Sequence, residues 1–326
     1  MSVATPSDIN LMILMPLFND WHALSLLLPV LEQELKSAGL RAGLLLVDDG
    51  STQKLPESLS KMALPSIESI DVLTLRRNLG HQRAIAVGLS YIEANYPNYS
   101  VVIMDADGED CPKDVPRLVR ECLAHDGENI VFAARTRRSE GLLFTFFYHL
   151  YRVVHLLLTG IPVRVGNFSI VPTAALKRLV AVSELWNHYA AAVHKAKLPI
   201  SLIPTERSKR LDGQTHMDLV SLVVHGLSAM AVFGDRIGVR LLMVVSLSML
   251  LTVGGMVAAA MIRFATDLAI PGWATYVFGF LLVIMMQMLL VVLVFIFVIL
   301  SARNAVNVMP SRDYLHIIDG VQRIHG

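Results

Sequence analysis

Residues 101–110 have the sequence VVIMDADGED, in which a short apolar run ends in a cluster of acidic and turn-forming residues. A run of this length without polar residues predicts a strand that is buried on both faces of a sheet. Comparable runs lie at 11–15, 42–47, 72–75 and 129–133. Stretches with helical character separate several of these runs, at 21–38, 81–94 and 113–124. Strands that alternate with helices predict an α/β fold with a mostly parallel sheet covered on both faces.

Acidic residues follow two of the predicted strands. The sequence Asp-Asp-Gly-Ser at 48–51 follows one strand, and 105–110 follow another. In parallel α/β sheets, ligands bind at the carboxyl ends of the strands. Taken alone, each motif is explained as well by turn formation and helix capping, because Asp, Gly and Ser favour both.

The composition restricts the class of protein. Lys and Arg number 28 against 27 Asp and Glu, so a general nucleic-acid-binding role is not indicated. Cys111 and Cys122 lack the spacing of a metal site or a disulfide framework, which fits a reducing compartment. The apolar run 11–17 lacks a basic flank before it and a small-residue cleavage site after it, so it is not predicted to be a signal peptide.

The hydrophobic residues, 54% of the chain, are concentrated near its C-terminal end. Residues 241–262 and 276–300 are uncharged, and each run is long enough as a helix to cross a hydrocarbon core of about 30 Å. Arginines flank the pair on the outside, whereas the loop between the runs carries Arg263 beside Asp267. This distribution predicts two transmembrane helices with both chain ends in the cytoplasm. A buried helical hairpin is the alternative.

Several short motifs occur in a specific order along the chain. They are MPLFND at 15–20, VDDGS at 47–51, RNLGH at 77–81, DAD at 105–107, GNF at 166–168 and RLDGQTH at 210–216. Together they resemble glycosyltransferase family 2, and particularly its polyprenol-phosphate sugar synthases. The sequence departs from the family pattern at Asn167, where an acidic residue is common, at His216, where Lys is usual, and in the segment after the Asp-x-Asp motif.

The resemblance and the residue pattern together predict a domain organisation. A GT-A type, Rossmann-like core that binds a nucleotide sugar is expected at 1–140. An acceptor-side region is expected at 141–235, where the apolar segments 142–160 and 219–233 are predicted as interfacial helices, with core helices as the alternative. A two-helix transmembrane anchor at 236–302 and a cytoplasmic tail at 303–326 complete the expected chain.

The resemblance also assigns roles to the residues at the strand ends. The residues expected at the donor nucleotide are Pro16, Phe18, Asn19, Asp49, Ser51 and Asp105. A divalent cation, Mg²⁺ or Mn²⁺, is expected on Asp107, with Asp105 and Glu109 assisting, because such ions prefer oxygen ligands. The catalytic candidates are Asp105, Asp107 and Asp110, and the choice of Asp110 or Asp105 as a base stays open.

Arg135 and Arg210 are the residues expected to bind the acceptor phosphate, since guanidinium groups bind phosphate in bidentate geometry. A phosphate monoester has a second pKa of about 6, so it needs positioning more than deprotonation. Asn167, which cannot act as a general base, is compatible with such an acceptor.

The expected function is inverting transfer of a sugar from a nucleotide-diphosphate sugar to polyprenyl phosphate, undecaprenyl or dolichyl, at the cytoplasmic face of the cell inner membrane. A homo-oligomer is left open. One alternative is a processive polysaccharide synthase, although the Gln-x-x-Arg-Trp signature of that class is absent from the sequence. The other is a noncatalytic membrane adaptor with a degenerate glycosyltransferase domain.

Overall fold

The computed structural model describes residues 9–135, 142–161, 165–206, 208–212, 219–266, 270, 272–304 and 308–326. The chain divides into two compact units. The first unit comprises Met1–Arg152, Pro162–Val232 and Asn307–Gly326, and the second comprises Val153–Ile161 and Phe233–Val306.

The described residues of the first unit form an eight-stranded sheet. Its strands are β1 (Leu11–Leu17), β2 (Ala42–Asp48), β3 (Ile67–Leu75), β4 (Ser100–Ile103), β5 (Ile130–Arg135), β6 (Ser169–Val171), β7 (Ile200–Thr205) and β8 (Ile318–His325). The spatial order is β7-β5-β6-β4-β1-β2-β3-β8. The pairs within β4-β1-β2-β3 and the β5-β7 pair are parallel, whereas β6 and β8 run antiparallel to their neighbours. The mostly parallel α/β fold is thereby confirmed.

Helices cover both faces of this sheet. They are α1 (Trp21–Ser37), α2 (His81–Asn95), α3 (Val115–Ala124), α5 (Thr173–Leu179) and α6 (Tyr189–Lys195). Two further helices are α4 (Leu142–Thr159), whose residues from Val153 onward belong to the second unit, and α7 (Leu219–Ala231). Alternate residues of a strand point to opposite faces. Accordingly, Ile13 of β1 belongs to the core beneath α1 and α3, and Leu14 belongs to the core beneath α2, α5 and α6. Gly88 lets α2 lie close to the sheet, because a Cβ there would be 2.4 Å from Leu14.

The five strands predicted from the sequence all exist, and β3 begins five residues earlier than expected. Strands β6 and β7 were not predicted, since β6 has only three residues and β7 alternates buried with exposed positions. The predicted ends of β1 and β4, and the predicted starts of the helices that follow them, lie within two residues of the observed ones.

The C-terminal segment differs from the expected tail at 303–326. A four-residue helix, α10 (Pro310–Asp313), precedes β8, which pairs antiparallel with β3. Arg323 of β8 donates hydrogen bonds of 2.8 and 3.1 Å to the two carboxylate oxygens of Asp71. The Tyr96 hydroxyl donates to the same carboxylate, and burial, followed by this bond, raises the pKa of Tyr96 to about 12. Strand β8 lies at the edge and is largely exposed, so its sequence lacks a strong apolar pattern.

The second unit contains two long helices, α8 (Gly234–Ala265) and α9 (Trp273–Asn304). They include the apolar runs 241–262 and 276–300. By length and composition both are able to cross a membrane, and only 6% and 0% of their apolar windows are buried within the protein. A hairpin buried in a protein core would show the opposite, so that alternative is not supported.

Candidate active site

The loops after β1 and β2 are joined by Asn19 and Ser51. The backbone N–H of Asn19 donates a 2.9 Å hydrogen bond to Ser51 Oγ, and the Asn19 side-chain oxygen accepts from the backbone N–H groups of Thr52 and Gln53. Asn19 adopts a left-handed conformation, with φ of 57°, which this short polar side chain tolerates. Two residues expected at the donor nucleotide therefore hold the two loops together, and the neighbouring Phe18 is 36% exposed.

The two acidic residues at the end of β2, Asp48 and Asp49, accept hydrogen bonds from backbone N–H groups. Asp48 Oδ1 accepts a 2.8 Å bond from the backbone N–H of Ser51. Asp49 is only 3% exposed, and its two oxygens accept from the backbone N–H groups of Leu79 (2.7 Å) and Gly80 (2.8 Å). Burial raises the pKa of Asp49, and these two bonds partly offset the rise. Asp49 thus fixes the loop that leads into α2, while its contact with a nucleotide stays a prediction.

The turn after β4 carries the Asp-x-Asp motif. Asp110 is buried, and its Oδ2 accepts a 3.0 Å bond from the backbone N–H of Asp105. Asp107 Oδ1 accepts a 2.9 Å bond from the backbone N–H of Glu109. Gly108, with φ of +83°, supplies a conformation that other residues rarely adopt. The carboxylates are therefore presented by a turn that their own hydrogen bonds stabilise.

Residues 208–212, here called the covering segment, lie on this turn. The backbone N–H of Ser208 donates to the carbonyl oxygen of Glu109 (3.0 Å), and that of Leu211 donates to the carbonyl oxygen of Asp107 (2.9 Å). A Cβ at Gly108 would be 2.5 Å from the Leu211 side chain, so this close approach requires glycine.

Arg210 of the covering segment bonds two carboxylates. Its Nη1 donates a 3.2 Å hydrogen bond to Asp107 Oδ2, and its Nη2 donates to Asp20 Oδ1. Its Nε donates to the carbonyl oxygen of Asp212 (2.8 Å). The guanidinium expected at the acceptor phosphate thus binds the carboxylate expected at the cation.

A second group of polar side chains lies beside Asp105. His81 Nε2 is 3.3 Å from Asp105 Oδ1 and 3.0 Å from the Asn167 side-chain nitrogen. The Gln82 side-chain nitrogen donates a 3.1 Å bond to Asn167 Oδ1, and Gln82 Oε1 accepts a 2.7 Å bond from the backbone N–H of Tyr189. Asp105 Oδ1 is buried, and no described residue donates a hydrogen bond to it.

A small cleft opens next to the Asp-x-Asp turn. It is lined by Glu109, Asp110, Cys111, Ala133, Gly166, Phe168, Thr205 and Glu206. Two of the expected site residues, Glu109 and Asp110, therefore lie beside β7 and the GNF motif. Glu206 was not predicted from the sequence, because β7 itself was not recognised.

The oxygen donors at this turn fit a hard divalent cation. Asp105 Oδ1 has no hydrogen-bond donor among the described residues, and a buried carboxylate oxygen in that state suits a metal. In the described part of the chain, no three His, Cys, Asp or Glu side chains form a ready-made site. Mg²⁺ and Mn²⁺ commonly take one or two carboxylates together with substrate phosphates, which agrees with this arrangement.

Some expected acceptor-side residues lie outside the described residues. Arg135 ends β5, but its side chain is not among the parts that the structure describes. Residues 136–141, 207 and 213–218 are also not described, and the last range contains four of the seven residues of the RLDGQTH motif. The role of Arg135 stays a prediction. Asp20 and Gln82 were not predicted as site residues, although Asp20 ends the MPLFND motif and Gln82 directly follows the RNLGH motif.

Comparison with known proteins identifies the family to which the chain belongs. The family model described as Glycosyl transferase family 2 matches residues 12–180, which is more than half of the chain. An undecaprenyl-phosphate 4-deoxy-4-formamido-L-arabinose transferase of Photorhabdus laumondii is 31% identical over 130 residues, 40% of this chain and 38% of that protein. The uncharacterized glycosyltransferase YkcC of Bacillus subtilis is 26% identical over 205 residues, 59% of this chain and 58% of that protein. The chain thus spans less than two thirds of either relative.

Among solved structures, glucosyl-3-phosphoglycerate synthase from Mycobacterium tuberculosis, in complex with Mn²⁺, uridine diphosphate and phosphoglyceric acid, has a TM-score of 0.50. It is 15% identical, and the match covers 71% of this chain and 79% of that one, so the likeness concerns the fold alone. With the sheet, the acidic turn after β4 and the extent of the family match taken together, this chain belongs to glycosyl transferase family 2.

Proposed function

We propose that the protein transfers a sugar from a nucleotide-diphosphate sugar to the phosphate of a polyprenyl lipid, in one inverting displacement at a membrane surface. The observation that carries the proposal is the acidic turn of Asp105 and Asp107 at the carboxyl end of β4, in a chain that also has two exposed apolar helices. The printed name of the Photorhabdus relative, an undecaprenyl-phosphate transferase, supports a lipid phosphate as acceptor.

Asp105 and Asp107, assisted by Glu109, would hold Mg²⁺ or Mn²⁺. The cation, when bound, offsets the negative charge that develops on the departing nucleoside diphosphate. Asp105 contributes a buried oxygen without a competing hydrogen bond from any described residue. Arg210 would have to release Asp107 Oδ2 before that oxygen could bind the cation.

The loops after β1 and β2 would frame the nucleotide. The hydrogen bonds of Asn19 and Ser51 hold these loops in one arrangement, so little ordering remains to be done on binding. The exposed ring of Phe18 supplies apolar surface for the base. Pro16 lies near the end of β1, opposite Val47 of β2, and Asp49 holds the loop that leads into α2.

The acceptor phosphate would be bound by Arg210, with Arg135 as the second guanidinium. Asp110 uses one oxygen to hold the turn, and Asn167 cannot accept a proton at neutral pH. A phosphate oxygen is already largely anionic at that pH, so the proposed mechanism positions the nucleophile and uses no general base. Attack from the face opposite the departing diphosphate gives inversion.

The chain connectivity supports catalysis and both chain ends on one side of the membrane. The first unit includes residues before α8 and, through β8, residues after α9. If both helices span the bilayer, the chain crosses twice and returns to the side it left. The arginines outside the helix pair favour the cytoplasmic side of the cell inner membrane.

The test is a transfer assay with purified protein in detergent. A panel of radiolabelled nucleotide sugars is offered with polyprenyl phosphate and Mg²⁺ or Mn²⁺, with chelator and Asp107→Asn as controls. We expect labelled, organic-extractable product that both controls reduce about a hundredfold, since the chelator removes the cation and Asp107→Asn removes one of its carboxylate ligands. A product with the donor's anomeric configuration would exclude the single displacement.

Two other outcomes would replace the proposal. Labelled polymer formed without added lipid phosphate would indicate a processive synthase. A folded protein that binds nucleotide and yields no product from any donor would indicate a noncatalytic adaptor.

A further inference from the structure

The loop that joins β3 to α2, residues 76–80, lies against the turn that follows β2. A Cβ at Gly50 would be 2.8 Å from the backbone nitrogen of Asn78 and 3.0 Å from the carbonyl carbon of Arg77. Gly50 also has a φ of +73°, so this close approach requires glycine. Asp49 accepts two backbone hydrogen bonds from the same loop. The β3–α2 loop and the turn are therefore packed together at the proposed nucleotide site.

The first residue of this loop, Arg76, is bonded to the part of the chain that follows α9. Its backbone N–H donates a 3.0 Å hydrogen bond to the carbonyl oxygen of Ile317, and its Nε donates a 3.1 Å bond to the carbonyl oxygen of Ile318. Both carbonyl groups belong to residues 309–318, here called the C-terminal connector. Arg76 and Ile318 are 242 residues apart in the sequence, so these bonds exist only in the folded chain.

The C-terminal connector is itself docked on the first unit. Tyr314 is buried in the core beneath α2, α5 and α6, and Ile317 and Ile318 pack against the same core. The backbone N–H of Ser311 donates a 3.3 Å hydrogen bond to the carbonyl oxygen of Val180. Because burial and this bond hold the connector in place, its carbonyl groups are fixed acceptors for the β3–α2 loop.

We propose that Arg76 is a positioning residue, which uses Ile318 of the C-terminal connector to hold the β3–α2 loop against the turn that follows β2. The inference rests on the proposed use of that turn by the nucleotide. It gives the chain after the second apolar helix a part in donor binding, although none of the sequence motifs lies there. The Arg76 side chain is exposed, so its loss should loosen the loop and leave the fold in place.

Two substitutions separate the hydrogen bond of Arg76 from its charge. Both remove the positive charge and keep a side chain of similar length. In Arg76→Gln the amide nitrogen is as many bonds from Cα as Nε is in arginine, so it can donate to Ile318. In Arg76→Met a methyl group takes that position, and no donor remains. Arg76→Gln is therefore the matched control for Arg76→Met.

The first readout is hydrogen exchange of the full chain in detergent, without ligand, at the amides of Leu79 and Gly80. Both amides donate to Asp49, so their exchange reports whether the loop keeps its position. Exchange should be about fivefold faster in Arg76→Met and within about twofold of wild type in Arg76→Gln. Equal exchange in the two variants, or unchanged exchange in Arg76→Met, would overturn the inference.

The second readout is transfer kinetics with the nucleotide sugar that gives product, with the KM of each substrate measured separately. Arg76→Met should raise the KM for the nucleotide sugar about fivefold and leave the KM for polyprenyl phosphate within about twofold. A general loss of structure would instead lower kcat and alter both substrates alike. An unchanged KM for the nucleotide sugar would refute the role of Arg76 in donor binding.

The two proposals fail separately, because the exchange experiment needs neither ligand nor turnover. No transfer from any donor, combined with a loop that loosens in Arg76→Met alone, would sink the proposed function and leave Arg76 as the residue that places the loop. If far-UV circular dichroism shows that Arg76→Met does not fold, exchange of wild type in low urea decides. The amides of Arg76 and Leu79 should then open with the same urea dependence, and separate opening would contradict the inference.

Discussion

Arg210 and a divalent cation compete for the same carboxylate, which makes Arg210→Gln informative. Arg210 Nη1 lies 3.2 Å from Asp107 Oδ2, and the two side chains are 16% and 13% exposed. At an effective dielectric constant of about 20, opposite charges 4 Å apart attract by about 4 kcal/mol, and solvent screening reduces this value. A single hydrogen bond between charged groups contributes about 1.5–3 kcal/mol.

A cation that binds Asp107 must break the hydrogen bond from Arg210, which can keep its bond to Asp20. We therefore take the lower end of that range as the free energy of breaking the bond. Arg210→Gln should therefore bind Mn²⁺ about tenfold more tightly in the absence of nucleotide, corresponding to about 1.4 kcal/mol. Transfer should fall at the same time, and the KM for polyprenyl phosphate should rise, since the proposed phosphate ligand is lost.

The assay is titration of Mn²⁺ by EPR, followed by transfer kinetics over a range of lipid concentrations. Arg41→Gln is the matched control, because it removes one positive charge from an exposed ion pair with Glu68. Mn²⁺ affinity that is unchanged or lower in Arg210→Gln would refute the competition. An unchanged KM for the lipid would refute the role of Arg210 at the acceptor.

Three further predictions concern other parts of the first unit. The raised pKa of Asp49 means that the folded chain holds this proton more tightly than the unfolded chain does. The bound proton therefore stabilises the folded chain in acid, and this stabilisation is lost as pH rises from about 3.8 through the pKa of Asp49 in the folded chain. The difference between the urea midpoints of wild type and Asp49→Asn should consequently change across that pH range. Gly108→Ala should displace Leu211 and speed proteolysis of the covering segment, whereas Gly127→Ala, where φ is also positive but no atom lies within 4 Å, should not. Arg323→Met should increase hydrogen exchange throughout β8 with little change in β1, and uniform exchange would contradict local docking by this residue.

The central sheet could be predicted because its strands are buried on both faces. Strands β1 and β2 are buried at every position, and runs of this kind are visible without an alignment. The two apolar helices were recognisable because each contains an uncharged apolar run long enough to cross a membrane. The strands and the apolar helices were therefore predictable because each has a continuous apolar pattern in the local sequence.

Strand β8 and the covering segment have no such pattern. The residues of β8 are mostly exposed, and its position depends on pairing with a strand about 250 residues earlier, as in the Asp71–Arg323 ion pair. The bonds of Ser208 and Leu211 to the acidic turn join backbone groups, so they require no particular side chain.

The candidate site was predicted as a set of residues and not as a set of interactions. The motifs brought Asn19, Ser51, Asp105 and Asp107 to one end of the sheet, but spacing alone did not show that Asp107 pairs with Arg210. The direction of the bonds from Gln82 to His81 was also beyond the sequence, because it depends on a backbone N–H in α6.

The position of β8 at the far end of the chain has a consequence for biosynthesis. Until the ribosome has made both apolar helices, the edge of β3 has no partner, and Asp71 lacks its guanidinium. An unpaired strand edge is prone to aggregation and to pairing with other chains. The sheet can therefore be completed only after both apolar helices have been synthesised. In a chain truncated within α9, the edge of β3 would stay unpaired and could pair with other chains.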